Sequence, residues 1–193
     1  MSAHSRELES LRVQEPLPGP VVRSAIKEDL AVIQRIYAAH VLGGTGTFEE
    51  TPPDVSELAR RWHDVTSRGL PYLVVVEDRL IKGFAYAGPF RSRSAYRYTV
   101  EDSIYIDQDA VGRGLGGMLL ASLISRCSAL GLRQMIAVIG DSANLRSIHL
   151  HGRFGFSHAG VLVNVGLKFD RWLDAVFMQR TLGDNPAGVE DRR

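Results

Sequence analysis

The stretch TVEDSIYIDQDAVGRGLGGMLL, residues 99–120, decides the fold. It leads from a long β-prone run, Tyr96 to Ile106, through glycines at 112, 114, 116 and 117 into a helical apolar pattern. That pattern puts Leu115, Met118, Leu119, Leu123, Cys127 and Leu130 on the buried side. In the strand, Ser103 and Tyr105 point to one face, Ile104 and Ile106 to the other. The first turn of a helix offers unpaired N–H groups and the positive end of its dipole. Glycines let such a backbone approach an anion without Cβ interference, and Arg113 adds charge. The segment reads as a phosphate or diphosphate cradle; a helix cap made of flexible residues is the plainer alternative. The Walker pattern fails, because no Lys-Ser/Thr pair follows the glycines. Gly112-x-Gly114-x-x-Gly117 matches the dinucleotide fingerprint, with Asp141 where a ribose-binding acid would fall. Against that stand the intervening Asp107–Val111, the strand meander before the motif, and the few residues left to finish a doubly wound half-sheet.

Working outward, Val21-Val22 suggests a first strand, and Ile26, Leu30, Ile33, Ile36, Tyr37 and Val41 recur at helical spacing until Gly43-Gly44. The loop TGTFEETPPD ends in Asp54, a candidate cap for a second helix carrying Leu58, Trp62 and Val65 and stopping near Gly69. Tyr72 to Glu77 and Ile81 to Ala87 form a hairpin about Asp78-Arg79, broken by Gly88-Pro89. Beyond the glycine helix come a strand from Gln134 to Ile139, a short helix from Asn144 to Phe154, and strands over 156–163 and 172–182. The order β-α-α-β-β-β-α-β-α-β-β mixes a meander with helix crossovers, which is α/β with a mixed sheet.

The 193 residues, 45% of them apolar, suffice for one domain with a real core and leave two cramped. We assign 1–20, with Pro16, Pro18 and Pro20, to a disordered N-terminal arm, 21–183 to the domain, and 184–193 to a flexible tail. A formal charge of +1 gives no net drive toward nucleic acid or an anionic membrane. No apolar run approaches the roughly 20 residues that span a bilayer. The start, MSAHSRELES, lacks the apolar stretch of a secretory signal, so a cytoplasmic location is expected. The single cysteine, Cys127, excludes an intramolecular disulfide and a multi-cysteine metal site, and no metal is expected.

Six stretches, GTFEETPPD, PYLVVVED, GFAYAGPFRSRSAYRYTVEDSIYI, GRGLGGMLL, MIAVIGDSANLRSIHLHGRFGF and KFDRWLDAVFMQRTL, are together far more specific than the glycines. With them the chain, from about Val21 to Leu182, resembles the GNAT superfamily of N-acetyltransferases, most of all the branch containing phosphinothricin and methionine sulfoximine acetyltransferases. The resemblance implies a GNAT fold, a mixed central β-sheet with splayed parallel strands flanked by helices. It implies that the strand Glu101–Ile106 carries a bulge and parts from strand 134–139, with the pantetheine arm of acetyl-CoA in the gap. The arm would bond to the backbone of Ser103, Ile104, Tyr105 and Ile106. The diphosphate would sit on the amides of Val111, Gly112, Arg113, Gly114, Leu115 and Gly116, and Asn144 and Ser147 would touch the arm further along. Two positions depart from the pattern: Val111 stands where Gln or Arg is usual, and Asp170 where the branch usually has glycine.

Acetyl transfer needs a neutral amine, a polarised thioester and a proton for the leaving thiolate. An α-amine with a pKa near 8 is about one tenth neutral at pH 7, so deprotonation costs only roughly 1.4 kcal/mol, and a well-placed weak base suffices. Glu101 matches the branch's general base. His151 stands where many GNAT enzymes have a tyrosine acting as general acid, and the branch also carries histidine there; an imidazole can serve as acid or base. His149, two residues earlier, falls on another helix face and serves as an internal control, and Asp102 should face away from Glu101. For the acceptor, Arg91 and Arg93 could fork a carboxylate or phosphinate-like group beside Tyr96, with Phe48 and Glu49 walling the site. Lys168 and Trp172 are expected to shape the site or a dimer face. Cys127, on the buried stripe, is expected to pack rather than carry an acyl group. The expected function is N-acetylation of the α-amine of a small amino-acid analogue of the phosphinothricin or methionine sulfone type, by direct transfer in a homodimer. The alternatives are another amine (a polyamine or a protein N-terminus) or a non-catalytic CoA- or dinucleotide-binding protein.

Overall fold

The computed structural model describes residues 19–183; the expected arm, apart from Gly19 and Pro20, and the tail lie outside the described residues. Strand β1 (Val21–Ser24) leads through a 3₁₀ turn into α1 (Leu30–Gly43) and then α2 (Val55–Ser67). Strands β2 (Tyr72–Glu77), β3 (Leu80–Pro89) and β4 (Thr99–Ile106) follow as a meander. Helix α3 (Leu115–Ala129), β5 (Gln134–Gly140), α4 (Leu145–Arg153), β6 (Ser157–Lys168) and β7 (Arg171–Thr181) complete the described residues. The seven strands form one sheet in the order β1-β2-β3-β4-β5-β7-β6. Only β4 and β5 run parallel among its neighbours, so a doubly wound dinucleotide sheet is ruled out.

Local chemistry explains the boundaries. Asp54 accepts from the Glu57 amide at 2.7 Å and starts α2. Asp78-Arg79 takes left-handed φ of 51° and 65°, the two-residue hairpin turn whose twist suits the flanking strands. Phe169-Asp170 does the same between β6 and β7, with φ of 51° and 55°. Asp170 takes a conformation that glycine would adopt without steric cost.

Two apolar layers cover the sheet. On one face, α3 buries Leu115, Leu119, Leu120, Leu123 and Cys127 against Val100, Met135 and Ala137. On the other, Ile33, Tyr37 and Val41 of α1 and Leu58 and Val65 of α2 meet Tyr72, Val74 and Phe84. Several expectations are corrected. Met118 (37% exposed) and Leu130 (54%) face solvent, while Leu120 and Ile124 are buried; α3 lies flat on the sheet, so its apolar stripe is wider than one i, i+4 row and is rotated from the row we assigned. Ile26 is exposed because the 3₁₀ turn precedes the helix proper. Tyr96 belongs to another 3₁₀ turn, and β4 starts only at Thr99. Strand β6 runs on to Lys168, past register breaks at 158–160 and 162–166, where Gly160, Asn164 and Gly166 blur the alternation. No bulge interrupts β4 against β3: the register holds from Gly83↔Ile106 to Pro89↔Val100.

The feature that positions the site is the end of the parallel ladder. Strands β4 and β5 pair from Thr99↔Gln134 to Asp102↔Ala137 and no further. Beyond it, β4 stays with β3 and β5 with β7, so the two strands part without a bulge.

Candidate active site

A cleft of about 890 Å³ opens where the strands part. Ser103, Ile104, Tyr105 and Ile106 form one wall and Ala137, Val138 and Ile139 the other. Backbone polar groups that lack a ladder partner must find another, so the parted edges suit a ligand that offers amides as a strand would. At one end lie Val111, Gly112, Gly114, Leu115 and Gly116, ahead of α3. Gly112 and Gly114 hold φ of +87° and +80°, and a Cβ on either would meet nothing within 4 Å. Glycine is therefore set there by backbone conformation, and the turn faces open space, as an anion cradle at a helix N-terminus must. The residues present fit an acyl carrier with a diphosphate.

Arg113 is placed differently from expectation. Its guanidinium pairs with Glu77 Oε1 at 2.8 Å, at the end of β2, and it does not line the cleft; only its amide belongs to the turn. Asn144 caps α4, accepting from the Ser147 amide at 3.2 Å, and both line the cleft. Arg146 and Arg153, not singled out in the sequence, line it as well.

The alternation of β4 separates the two candidate proton-transfer groups. Val100 and Ile104 share the layer of α3, Tyr105 that of α1. Asp102 therefore points to the α3 side, and Glu101 and Ser103 to the α1 side. His151, on α4, is buried and sits 3.0 Å from Asp102 Oδ2 through Nε2. Glu101 and His151 thus lie on opposite faces of the sheet, and the carboxylate beside His151 is Asp102. His149 is exposed at the rim of the cleft.

Burial raises the carboxyl pKa of Glu101; the Arg91 charge opposes the shift and Asp102 adds to it. Burial works to lower that of His151, but the hydrogen bond and charge of Asp102, with the Ser147 carbonyl, outweigh it and the net shift is upward. Burial pushes the Cys127 thiol up to about 12, which makes it a poor nucleophile.

The other expected acceptor residues lie on the α1 side or in the loops that flank it. Arg91 stacks on Phe90 at 4.3 Å, and Tyr96 meets the same ring edge-on at 5.8 Å; Arg93 is exposed just ahead of that turn. Glu49 accepts from Tyr37 Oη at 2.9 Å and Arg61 Nη1 at 2.6 Å. Phe48 lies across Gly166 of β6, where a Cβ would come within 2.3 Å of its ring. Trp172 is exposed, whereas Lys168 is buried and donates to the carbonyls of Gly44 and Thr47 at 2.8 and 2.9 Å. Arg61, Tyr86 and His40, which no sequence pattern marks, also lie here. Tyr86 lies opposite Ser103 in the β3–β4 ladder and feels the charges of Arg61, Glu101 and Glu49. His40 Nε2 sits 2.8 Å from the Ile106 carbonyl at the cleft.

This combination of parted parallel strands, glycine turn and mixed sheet is that of an acyl-CoA-dependent acyltransferase, and the family model of the acetyltransferase (GNAT) domain matches residues 22–177. The chain belongs to the GNAT acetyltransferases. Phosphinothricin N-acetyltransferase of Alcaligenes faecalis is 52% identical to it over 161 residues, 83% of this chain and 82% of the relative. The L-methionine sulfoximine/L-methionine sulfone acetyltransferase of Pseudomonas paraeruginosa is 42% identical over 163 residues, 83% of this chain and 94% of the relative. The crystal structure of a GNAT superfamily phosphinothricin acetyltransferase from Sinorhizobium meliloti, in complex with acetyl-CoA, superposes with a TM-score of 0.85. It is 47% identical, and the match covers 89% of this chain and 93% of that one.

Proposed function

We propose that this chain is an N-acetyltransferase that moves the acetyl group of acetyl-CoA to the α-amine of a small amino-acid analogue of the phosphinothricin or methionine sulfone type. The observation that carries the reading is the cleft between β4 and β5, closed at one end by the glycine turn, in a chain whose relatives include a phosphinothricin N-acetyltransferase and a methionine sulfoximine/methionine sulfone acetyltransferase. Acetyl-CoA supplies the activated acetyl group as its thioester. The amides of residues 111–116 hold its diphosphate, the open edge of β4 from Ser103 to Ile106 orients its arm, and Asn144 and Ser147 touch the arm beyond. Glu101 takes the proton of the attacking amine, directly or through a water, and His151 supplies one to the departing thiolate. Transfer is direct, because the one cysteine is buried with its proton firmly held. Arg91 and Arg93 hold the acceptor's acidic groups, beside Tyr96, Phe48 and Glu49. Resistance to a toxic glutamate analogue, antibiotic or herbicide, would follow from that activity.

The test has two stages. Acetyl-CoA at 100 times its Kd stabilises the fold by about 2.7 kcal/mol, so it should raise Tm where NAD does not. A panel of amines followed by thiol release should then favour phosphinothricin and methionine sulfone over polyamines and N-terminal peptides. A Tm unmoved by acetyl-CoA would sink the transferase. A panel led by a polyamine would sink only the acceptor.

A homodimer is proposed as well. Strand β6 is the sheet's outer edge and exposes Val161, Leu162, Val163, Val165 and Leu167 beside Phe169 and Trp172. So much exposed apolar surface on one edge marks an interaction site. Sedimentation should give twice the chain mass, and Val163→Asp should shift it to the monomer. No helix among the described residues is long and apolar enough to cross a membrane, and a cytoplasmic enzyme without nucleic-acid partners is our reading.

A further inference from the structure

His151 is 4% exposed, and both of its ring nitrogens face acceptors. Nδ1 is 2.8 Å from the Ser147 carbonyl oxygen, and Nε2 is 3.0 Å from Asp102 Oδ2. A carbonyl has no proton to give, so Nδ1 carries one. Opposite Nε2, one proton is shared between a carboxyl and an imidazole. Their ordinary pKa values, about 3.9 and about 6.5, leave it on the ring. The Ser147 hydroxyl lies 3.4 Å from Nδ1, further than the carbonyl, and does not displace it. Asp102 from β4 is the charged group acting on the ring; Cys127 of α3 feels Asp102 but keeps its own proton. The Phe156 ring packs edge-on at 5.0 Å and offers no acceptor on its edge.

The dependence runs both ways. Asp102 is 6% exposed, and its Oδ1 has no hydrogen-bond partner among the described residues. Among the described residues its charge is paired with the imidazolium alone, so a neutral ring would leave a buried bare carboxylate against a lone pair. Glu101, on the other face of β4, cannot serve in its place.

We propose that Asp102 is a positioning residue that keeps His151 doubly protonated in the wall of the cleft, so that His151 can give a proton there but cannot take one, and the amine's proton falls to Glu101. The second half rests on the acetyl-transfer reading; the ion pair itself does not. The step balances. The neutral amine nitrogen attacks the thioester carbonyl carbon, a C–N bond forms, and the nitrogen's surplus proton passes to Glu101. The C–S bond breaks with its electron pair on sulfur, which takes a ring proton of His151 and leaves the pair with Asp102 uncompensated until that proton is replaced. One proton then returns from Glu101 to His151 through solvent, and nothing is oxidised or reduced.

The test starts on the unliganded full chain with ¹⁵N-labelled histidine, titrated by NMR, His151 being assigned through its contact with Phe156. Both ring nitrogens should be protonated at pH 7, so the midpoint should lie above that pH. Asp102→Asn keeps the shape and an oxygen for Nε2–H but removes the charge. It should lower that midpoint by at least one pH unit and move the alkaline limb of kcat down equally, with KM for acetyl-CoA changed less than threefold. A bond that served structure alone would lower Tm and leave the limb in place, and that result overturns the proton role. An unprotonated ring nitrogen in the parent at pH 7 overturns the ion pair, and this measurement decides even if the variant does not fold. Because it needs neither substrate, absence of acetyl transfer would count against the proposed function and leave the ion pair standing.

Discussion

Glu101→Gln is expected to slow acetyl transfer by about 10²–10⁴-fold, the range a positioned general base supplies, while acetyl-CoA binding stays as it was. Glutamine has the volume and much of the hydrogen bonding of glutamate but cannot take a proton. Glu101 lies on the α1 side of β4, away from the α3 helix that follows the glycine turn, so the cradle should not register the change. The pH behaviour carries the same argument. Burial raises the Glu101 carboxyl pKa, with Arg91 opposing and Asp102 adding, so activity should fall as pH drops through a value above that of an ordinary carboxylate. The stability linkage has the opposite sense: a carboxyl raised in the folded state stabilises at low pH, and that contribution is lost as pH rises through the raised value. Above that raised value the ionised Glu101 is therefore a cost to the fold, and there Glu101→Gln should be at least as stable as the parent. Slow turnover with an undiminished Tm identifies a lost base; equal turnover across the pH range would remove Glu101 from the reaction.

Local chemistry made most of this fold legible. The caps and turns at Asp54, Asp78-Arg79, Gly114 and Gly131 act within a few residues, and the order of the four α-helices and seven strands among the described residues follows from them and from periodicity. Relations across the chain were harder. The pattern on α3 gave a helix but not its rotation, because the sheet beneath decides whether Met118 or Leu120 turns inward. Alternation along β4 put Asp102 on the face opposite Glu101, correctly, and for that reason passed over it: nothing within 40 residues says that α4 will bring His151 to it. Arg113 was assigned to the cradle by sequence adjacency, yet an arginine can reach back to Glu77 on β2, and the structure places it there. The cleft-lining backbone was the more accessible part, since glycine positions and strand ends mark backbone directly.

Replacing Lys168 by methionine should destabilise the fold by about 2–5 kcal/mol and raise KM for the acceptor more than KM for acetyl-CoA. The ammonium is 1% exposed and donates to Gly44 O and Thr47 O, groups 124 and 121 residues away in the chain. Hydrogen bonds to a charged group contribute about 1.5–3 kcal/mol each, and methionine fills the space of the stem without supplying them. The loss therefore comes from two carbonyls left without a donor rather than from a cavity. Both carbonyls belong to the loop after α1, which also carries Phe48 across Gly166 and Glu49 against Tyr37 and Arg61. Lys168, at the tip of the β6–β7 hairpin, is thus the tie between the sheet's outer edge and the loop proposed to wall the acceptor. When it is cut, the acceptor wall should loosen while the glycine turn, on another part of the chain, keeps its shape. Urea unfolding gives the stability loss, and initial rates with each substrate varied separate the two KM values. If both rise together, Lys168 supports the whole fold and not that wall; if the acceptor KM alone rises, the tie is local.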